Sequence, residues 1–571
     1  MSLHNTLLFI LISYSTVIVA NQVSVEVIPE NKAIKDNIEA YIGTFENQDT
    51  PTLLRLQSVV KKQAIEATQA LGYYDTQVHT RVRGKKTNSP TLRIKVLLGD
   101  PVYLRNVNID IQGDAASLKE FKTPSGKDLT TGAILNHGVY ESAKSQIKAQ
   151  ALHYGFFFGE FTQHQLLINP EEKRADINIQ YQSGPRATLG KVTFSKEDNP
   201  FDEDLLYRFV NFKEGTPYNS NLIAELNNNL QSSGYFEDVR IDAIPTDKEH
   251  TELPVTAEVK ATKSKVLSMG LGFSTDIGPR AQFGWERPWI NSRGHKLGFN
   301  TEISGPRQNI TTWYQIPMED PLTDNVRFTA GLQHEDIVDT ESTLLTLGVE
   351  RNKKLDSGWM RTLFLRWQNE TYKVGEDEAN RMFLMPGFNY SYLRSDNSID
   401  PSKGYRLQFG LSGGKEGILS AADFIRYTGS AKGLYTFANK HRFLSRIEVG
   451  GIDSPNYEKI PPSLRFYAGG DQSVRGYDYQ TLSPRDDDRK KIGGRYMIAG
   501  SMEYQYQFAE KWRAATFIDK GNAGDSWAMG LKTGVGVGIR WVSPVGPIRV
   551  DIAHGVEDNS IRLHFSMGPE L

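Results

Sequence analysis

No cysteine occurs in the 571 residues. Disulfides and thiolate metal sites are therefore excluded, and the chain suits unfolded passage through an oxidising compartment where stray thiols would mispair. A charge imbalance is also missing. There are 66 basic and 68 acidic residues, a formal net charge of −2, so nothing in the total points to nucleic acid or an anionic membrane surface. Beyond residue 20 no stretch reaches 18 apolar residues, which leaves no helical membrane span to expect downstream. The 11 histidines show no H-x-x-x-H or H-E-x-x-H spacing, so no zinc or other metal site is expected. P-loop and dinucleotide fingerprints are absent as well, and with them any sign of a nucleotide or other cofactor. Gly410-Leu411-Ser412-Gly413-Gly414 matches G-x-S-x-G. A nucleophile elbow needs a strand–turn–helix setting, and here another strand pattern follows. No enzyme is expected.

What is present begins with LLFILISYSTVIVA at 7–20. The run is short for a spanning helix and reads as a signal peptide over 1–20, cleaved after Ala20, although the preceding MSLHNT lacks Lys and Arg. A repeat of roughly 80 residues follows. A glycine with aromatics behind it closes a helix-like segment three times: Gly72-Tyr73-Tyr74, Gly155-Phe156-Phe157 and Gly234-Tyr235-Phe236. Each glycine reads as a helix C-cap. Amphipathic stretches precede these marks and alternating strand pairs follow them, while Gly99-Asp100-Pro101-Val102 and Gly184-Pro185 separate the units. The prediction is three α+β modules, each β-α-α-β-β, over 22–98, 99–184 and 185–263.

From Val266 the pattern changes to period two. Met502, Tyr504, Tyr506 and Phe508 alternate with Ser501, Glu503, Gln505 and Gln507. Val535, Val537, Ile539 and Trp541 alternate with Gly534, Gly536, Gly538 and Arg540, and Ile548, Val550 and Ile552 with Arg549, Asp551 and Ala553. Ile561, Leu563 and Phe565 give the last strand its apolar row against Arg562, His564 and Ser566. Large apolar side chains on one face and charges or glycines on the other, in a chain without a helical span, indicate a transmembrane barrel over 264–571. Sixteen strand-like segments can be counted, an even number as the class requires. The longest stretch without alternation, 453–493, carries Gly469, Gly470, Ser473, Val474, Arg475, Gly476 and Tyr477, and then the charged run Arg485–Lys491, which reads as a solvated tip.

With modules and barrel in place, the chain resembles the POTRA-plus-barrel assembly factors of bacterial outer membranes, the superfamily of BamA. Its motifs are Gly469-Gly470 with Ser473-Val474-Arg475-Gly476-Tyr477, then Phe517–Gly521 (FIDKG), then Gly536–Ala553. Three repeats make the layout most similar to the TamA-type subunits of translocation and assembly modules. The resemblance implies an outer-membrane location with periplasmic modules, and a function in inserting barrel clients such as autotransporters. It also implies a TamB-like inner-membrane-anchored partner, unfolded outer-membrane protein clients, contact with outer-membrane lipid, and a possible role in phospholipid transport. It further implies that the loop after the eleventh strand enters the lumen, its arginine meeting an Asp on strand 13 and, in relatives, a Glu on strand 12.

The residues of this chain lead to the same partners. If Tyr504 faces lipid, Glu503 faces inward, and Asp519 lies on the next strand. Arg suits a bidentate carboxylate contact. Gly534, Gly536 and Gly538 would leave room for loop backbone against the wall, and Tyr477 and Tyr479 would surround the ion pair. Lateral opening is expected between the first strand and the last, which Gly568-Pro569 ends early, with Leu267 and Leu563 in facing positions. The alternative is a two-partner-secretion-type pore for one exoprotein, which would need a plug helix for which Asn21–Val27 leaves no room. A passive porin would need no repeats.

Overall fold

A computed structural model describes residues 22–46, 48–84, 90–245, 251–263, 265–543, 546–568 and 570; the expected signal peptide lies outside them. Two compact units divide the chain, and the second joins the barrel to Val192–Asn211 and Glu225–Asp242 of the third module.

Each module forms because a short alternating strand can bury one row of side chains only against a helix. In the first, Thr91–Leu97 lies between Val23–Ile28, which is parallel to it, and Gln77–Arg83, which is antiparallel. Leu92, Ile94 and Val96 point into the core, where helices Lys32–Ile42 and Thr50–Ala70 bring Ile38, Leu53 and Val60. Asn31 and Asp49 cap the two helices, their side chains accepting from the backbone of Ile34 and Thr52. The second module repeats the sheet with Arg174–Gln182 central, but two 3₁₀ turns, Asp114–Ser117 and Lys127–Leu129, precede its long helix His137–Tyr154. Gly155 ends that helix at φ +89 and its N–H returns to the Ala151 carbonyl, a left-handed cap that a side chain would strain. The third module orders its strands as Thr188–Phe194, Glu252–Ala261 and Phe236–Ala243.

Sixteen antiparallel strands then pair in chain order. They are β1 (Val266–Ser274), β2 (Gly278–Arg287), β3 (Lys296–Ser304), β4 (Arg307–Pro317), β5 (Asp324–Ile337), β6 (Thr340–Lys354), β7 (Met360–Val374) and β8 (Asp377–Ser395). There follow β9 (Lys403–Gly414), β10 (Phe424–Phe437), β11 (His441–Asp453), β12 (Tyr496–Ala509), β13 (Trp512–Gly524), β14 (Lys532–Ser543), β15 (Gly546–Gly555) and β16 (Ser560–Met567). The alternation sorts side chains as the period demands: Met502, Ile518, Val537 and Leu563 are exposed outward, while Gln505, Asp519, Arg540 and His564 are buried inward. Such an outer surface needs lipid, and such a lumen needs internal pairing.

The barrel is nearly closed. At the seam, Thr275 donates its N–H to the Phe565 carbonyl at 3.2 Å, and the Phe565 N–H donates to the Thr275 hydroxyl at 3.1 Å. The Phe273 and Phe565 rings meet at 5.5 Å. Continued antiparallel from that bond, the register would bring Ser274 to Ser566 and Phe273 to Met567, where β16 ends. Val266–Gly272 therefore run past the end of β16, and no ladder is formed on that side of β1 among the described residues. Leu267 and Leu563, expected to face each other, do not: Leu267 lies on the unpaired stretch.

Candidate functional site

The segment from Ser454 to Arg495 connects β11 to β12 and folds into the barrel. Its first half packs Tyr457, Ile460, Leu464 and Phe466 against Phe383, Phe424 and Ile452 of the wall. Ala468 and Leu482 exchange two backbone hydrogen bonds of 2.9 Å, and the Gly470 N–H donates to the Tyr477 carbonyl, so residues between them form a tight tip. Val474 at the tip is fully buried with Ala468, Tyr477, Leu482 and Ala499. The Gly469 N–H is held by the Ser473 hydroxyl at 3.3 Å. Arg446 of β11 donates to the carbonyls of Gln472 and Ser473, tying the tip to the wall.

Arg475 occupies the end of this tip and meets three carboxylates. Asp519 is gripped bidentately, from Nε at 2.7 Å and Nη2 at 2.9 Å, and also accepts the Arg475 backbone N–H at 3.0 Å. Nη1 donates to Glu503 at 2.8 Å and to Asp551 at 3.1 Å. A second guanidinium, Arg540 of β14, lies behind the first and donates to Glu503 at 2.9 Å and Asp551 at 2.6 Å. Two arginines thus face three carboxylates, with Ser501 bonded to Asp519 at 2.6 Å. Planar forks reaching several oxygens compensate for the removal of these charges from water, which unpaired groups could not tolerate.

The glycines around this tip have separate tasks. Gly476, at φ +94, donates to His564 Nε2 at 2.9 Å and accepts from the Ser560 hydroxyl at 3.0 Å. A Cβ on Gly476 would come within 2.7 Å of the Gly555 nitrogen, so backbone lies on backbone here. A Cβ on Gly534 would strike the Arg475 carbonyl. Gly536 and Gly538 serve otherwise than expected. They make room for the Phe517 ring and the Asp551 carboxylate, which are wall side chains, and not for the loop backbone. The expected tyrosine packing around the ion pair is corrected too. Phe517 covers the guanidinium, its ring centre 3.3 Å from Cζ of Arg475. Tyr477 donates instead to Glu557 at 2.5 Å, and Tyr479 crosses to Arg307 of β4 at 3.4 Å.

The tip also touches both sides of the seam. Asp478 pairs with Arg562 of β16, and Asp471 accepts from His564 Nδ1 at 2.6 Å and from the Thr275 hydroxyl at 2.8 Å. Asp276, in the turn after β1, accepts the Asp471 N–H at 3.0 Å; burial and then the Asp471 carboxylate push its own carboxyl up to about 7. Glu557, in the β15–β16 turn, behaves oppositely. Burial works upward, but the Thr533 N–H and the Tyr477 hydroxyl outweigh it and hold the carboxyl down at about 2.

Sequence reasoning missed Asp551, Arg540, Arg446 and the Asp276–Asp471–His564 meeting. Asp551 and Arg540 were legible as inward positions of their strands; only the register, which sets Gly538 opposite Asp551, makes them neighbours. Ile561, Leu563 and Phe565 lie along the outer face of β16, with Ile561 and Leu563 well exposed.

Comparison with known proteins agrees with this architecture. The Omp85 superfamily domain model matches residues 263–570, a POTRA TamA domain 1 model matches 24–98, and a POTRA model described as a surface antigen variable number repeat matches 187–262. The outer membrane protein assembly factor BamA of Nitratidesulfovibrio vulgaris is 25% identical over 445 residues, covering 73% of this chain and 55% of that protein. BamA of Neisseria meningitidis is 21% identical, covering 87% of this chain and 70% of that one. The chain therefore spans little more than half the length of the first relative. The crystal structure of BamA from Haemophilus ducreyi lacking POTRA domains 1–3 superposes with a TM-score of 0.68 at 15% identity, over 82% of this chain and 99% of that one.

Proposed function

The chain belongs to the Omp85 superfamily, an outer-membrane β-barrel with periplasmic POTRA modules, and from its seam we propose that it is a non-enzymatic factor that assembles other barrel proteins. One observation carries the reading: among the described residues, β1 presents Val266–Gly272 without a strand partner on the seam side. Leu267, Met269 and Leu271 on that stretch are 62%, 79% and 84% exposed. An unpaired edge of this kind is a template for an incoming strand, and in lipid its free N–H and C=O groups need one. Among the described residues the backbone hydrogen bonding across the seam is confined to Thr275 and Phe565, which leaves little to break before the barrel opens sideways. The buried loop holds the seam from within.

The modules contribute edges of their own. In the first, Val23–Ile28 and Gln77–Arg83 flank the sheet, so an extended segment of a client or of a TamB-like inner-membrane-anchored partner would add by β-augmentation. The match of a POTRA TamA domain 1 model to 24–98 supports that partner and autotransporter-type clients. A role in phospholipid movement belongs to the same reading. A crosslinking pull-down from envelopes that recovers no such partner would remove this finer part.

The seam itself is tested with cysteines, which the native chain lacks. Continued antiparallel from Thr275 and Phe565, the register brings Ser274 to Ser566 in the alternation of a non-hydrogen-bonded pair, a type whose Cα atoms lie about 4.5 Å apart, within disulfide reach. Ser274→Cys with Ser566→Cys is expected to lose client insertion when oxidised and to regain it on reduction. Undiminished insertion by the fully oxidised protein would eliminate lateral opening.

A further inference from the structure

Asp276, Asp471 and His564 come from the first turn, the lumen loop and the last strand, and they place ligand atoms within 4.8 Å of one another. The two oxygens of Asp471 are used unequally. Oδ1 accepts from His564 Nδ1 at 2.6 Å and from the Thr275 hydroxyl at 2.8 Å. Oδ2 is buried without a hydrogen-bond partner, on a side chain only 3% exposed. The Asp276 carboxylate is drawn to the same place, its oxygens receiving the Asp471 N–H at 3.2 and 3.0 Å. Gly470, at φ +100, permits the approach, since a Cβ there would come within 2.8 Å of Asp276 Oδ2. Two adjoining carboxylates, one with a buried oxygen that no donor among the described residues satisfies, form an arrangement that a bound cation resolves.

We propose that a hard divalent cation, Ca²⁺ or Mg²⁺, binds between Asp276 and Asp471 and fastens the seam. The hydrogen bonds select the kind of metal. His564 Nε2 accepts the Gly476 N–H at 2.9 Å, so the neutral ring carries its proton on Nδ1, where it donates to Asp471. The imidazole has no lone pair left for a zinc-like ion. It orients the carboxylate from behind, so the ligands are oxygens completed by water, as Ca²⁺ and Mg²⁺ prefer. Binding would join the β1 turn to the loop and, through His564, to β16, which are the parts that must separate for lateral opening. That consequence rests on the function proposed above; the binding itself does not.

The test uses the full-length protein in detergent micelles, stripped with EDTA and titrated with CaCl₂ or MgCl₂ by calorimetry. One saturable site per chain is expected, with a Kd of roughly 10⁻⁴–10⁻³ M, the range of extracellular calcium modules. Amide exchange at residues 470–476 is expected to slow when Ca²⁺ is added. Asp276→Asn and Asp471→Asn, close in shape to the native residues, are expected to lose the heat and the protection, and Asp488→Asn on the exposed tip to keep both. No saturable binding by the wild type, or binding retained in both Asn variants, overturns the site. So does protection gained on acidification with EDTA present and unchanged by Ca²⁺, because the pair would then hold a proton. Should a variant fail to fold, the wild-type contrast between CaCl₂ and EDTA still decides. Client insertion slowed by Ca²⁺ is expected; binding without that effect would count against lateral opening and leave the site standing.

Discussion

Replacing Arg475 by alanine tests how the loop is held. The side chain makes five hydrogen bonds in all, two to Asp519 and one each to Glu503, Asp551 and Ser501, and it lies under Phe517. Its loss would leave Arg540 alone against three buried carboxylates. Breaking a buried pair by removing one partner costs ~3–5 kcal/mol. At 1.4 kcal/mol per factor of ten, the population with the loop released is expected to rise about 10²- to 4 × 10³-fold. The remaining attachments, Gly476 to His564 and Tyr477 to Glu557, keep the figure toward the lower end. Hydrogen exchange at the Arg475 and Gly476 amides reads this directly, because both are bonded only when the tip is docked. Heat-modifiable gel migration shows separately that the barrel is intact. Arg475→Lys is expected to recover little, since an ammonium cannot span Asp519 and Glu503 as the planar fork does. In a double-mutant cycle with Asp519→Asn, coupling above about 0.5 kcal/mol is expected. Exchange within threefold of wild type in Arg475→Ala, with additive single mutants, would refute the anchoring.

Three further outcomes follow from the same geometry. Gly534→Ala puts a methyl into the Arg475 carbonyl and is expected to destabilise the docked loop by ~1–3 kcal/mol in the same exchange assay, whereas Gly530→Ala, with open space around it, should be neutral. Tyr477→Phe removes the hydroxyl from a charged acceptor, a loss of about 1.5–3 kcal/mol, and should expose residues 477–482 to protease while the Arg475 amide stays protected. The carboxyl of Glu557 is depressed, so its contribution is fully present above the usual carboxylate range and is lost as pH falls through about 2. Proteolysis with an acid-active protease at pH 4 should therefore find the Tyr477 contact intact, and release already at pH 4 would contradict the assignment.

How much of this was legible in the sequence depended on the range of the interaction. The sixteen strands could be read because each crosses from lipid to lumen and back with period two, a signal contained within some ten residues. Arg475, Glu503 and Asp519 could be read because glycines and inward parity mark each one locally. Asp551 was marked as well, but its place beside Arg475 is set by the β14–β15 register, and a slip of one residue would turn it to the lipid. The meeting of Asp276, Asp471 and His564 spans sequence separations of 195 and 93, with no periodicity to announce it. Gly536 and Gly538 were misjudged for a related reason: an inward glycine announces an empty volume, not its occupant. Leu267 and Leu563 were set opposite each other on the assumption of a fully paired seam; the two strands are of similar length, but the stagger that brings Thr275 to Phe565 slides them past each other.

The central claim is that the free edge of β1 receives a client strand. It is tested most directly by placing cysteine at Leu271, arresting a barrel client during assembly, and scanning cysteines through the client's terminal strand. Disulfides that recur at every second client position around one register, and that vanish when Ser274 and Ser566 are crosslinked, are the predicted result. A client that assembles normally while Leu271→Cys captures none of its positions would contradict the account.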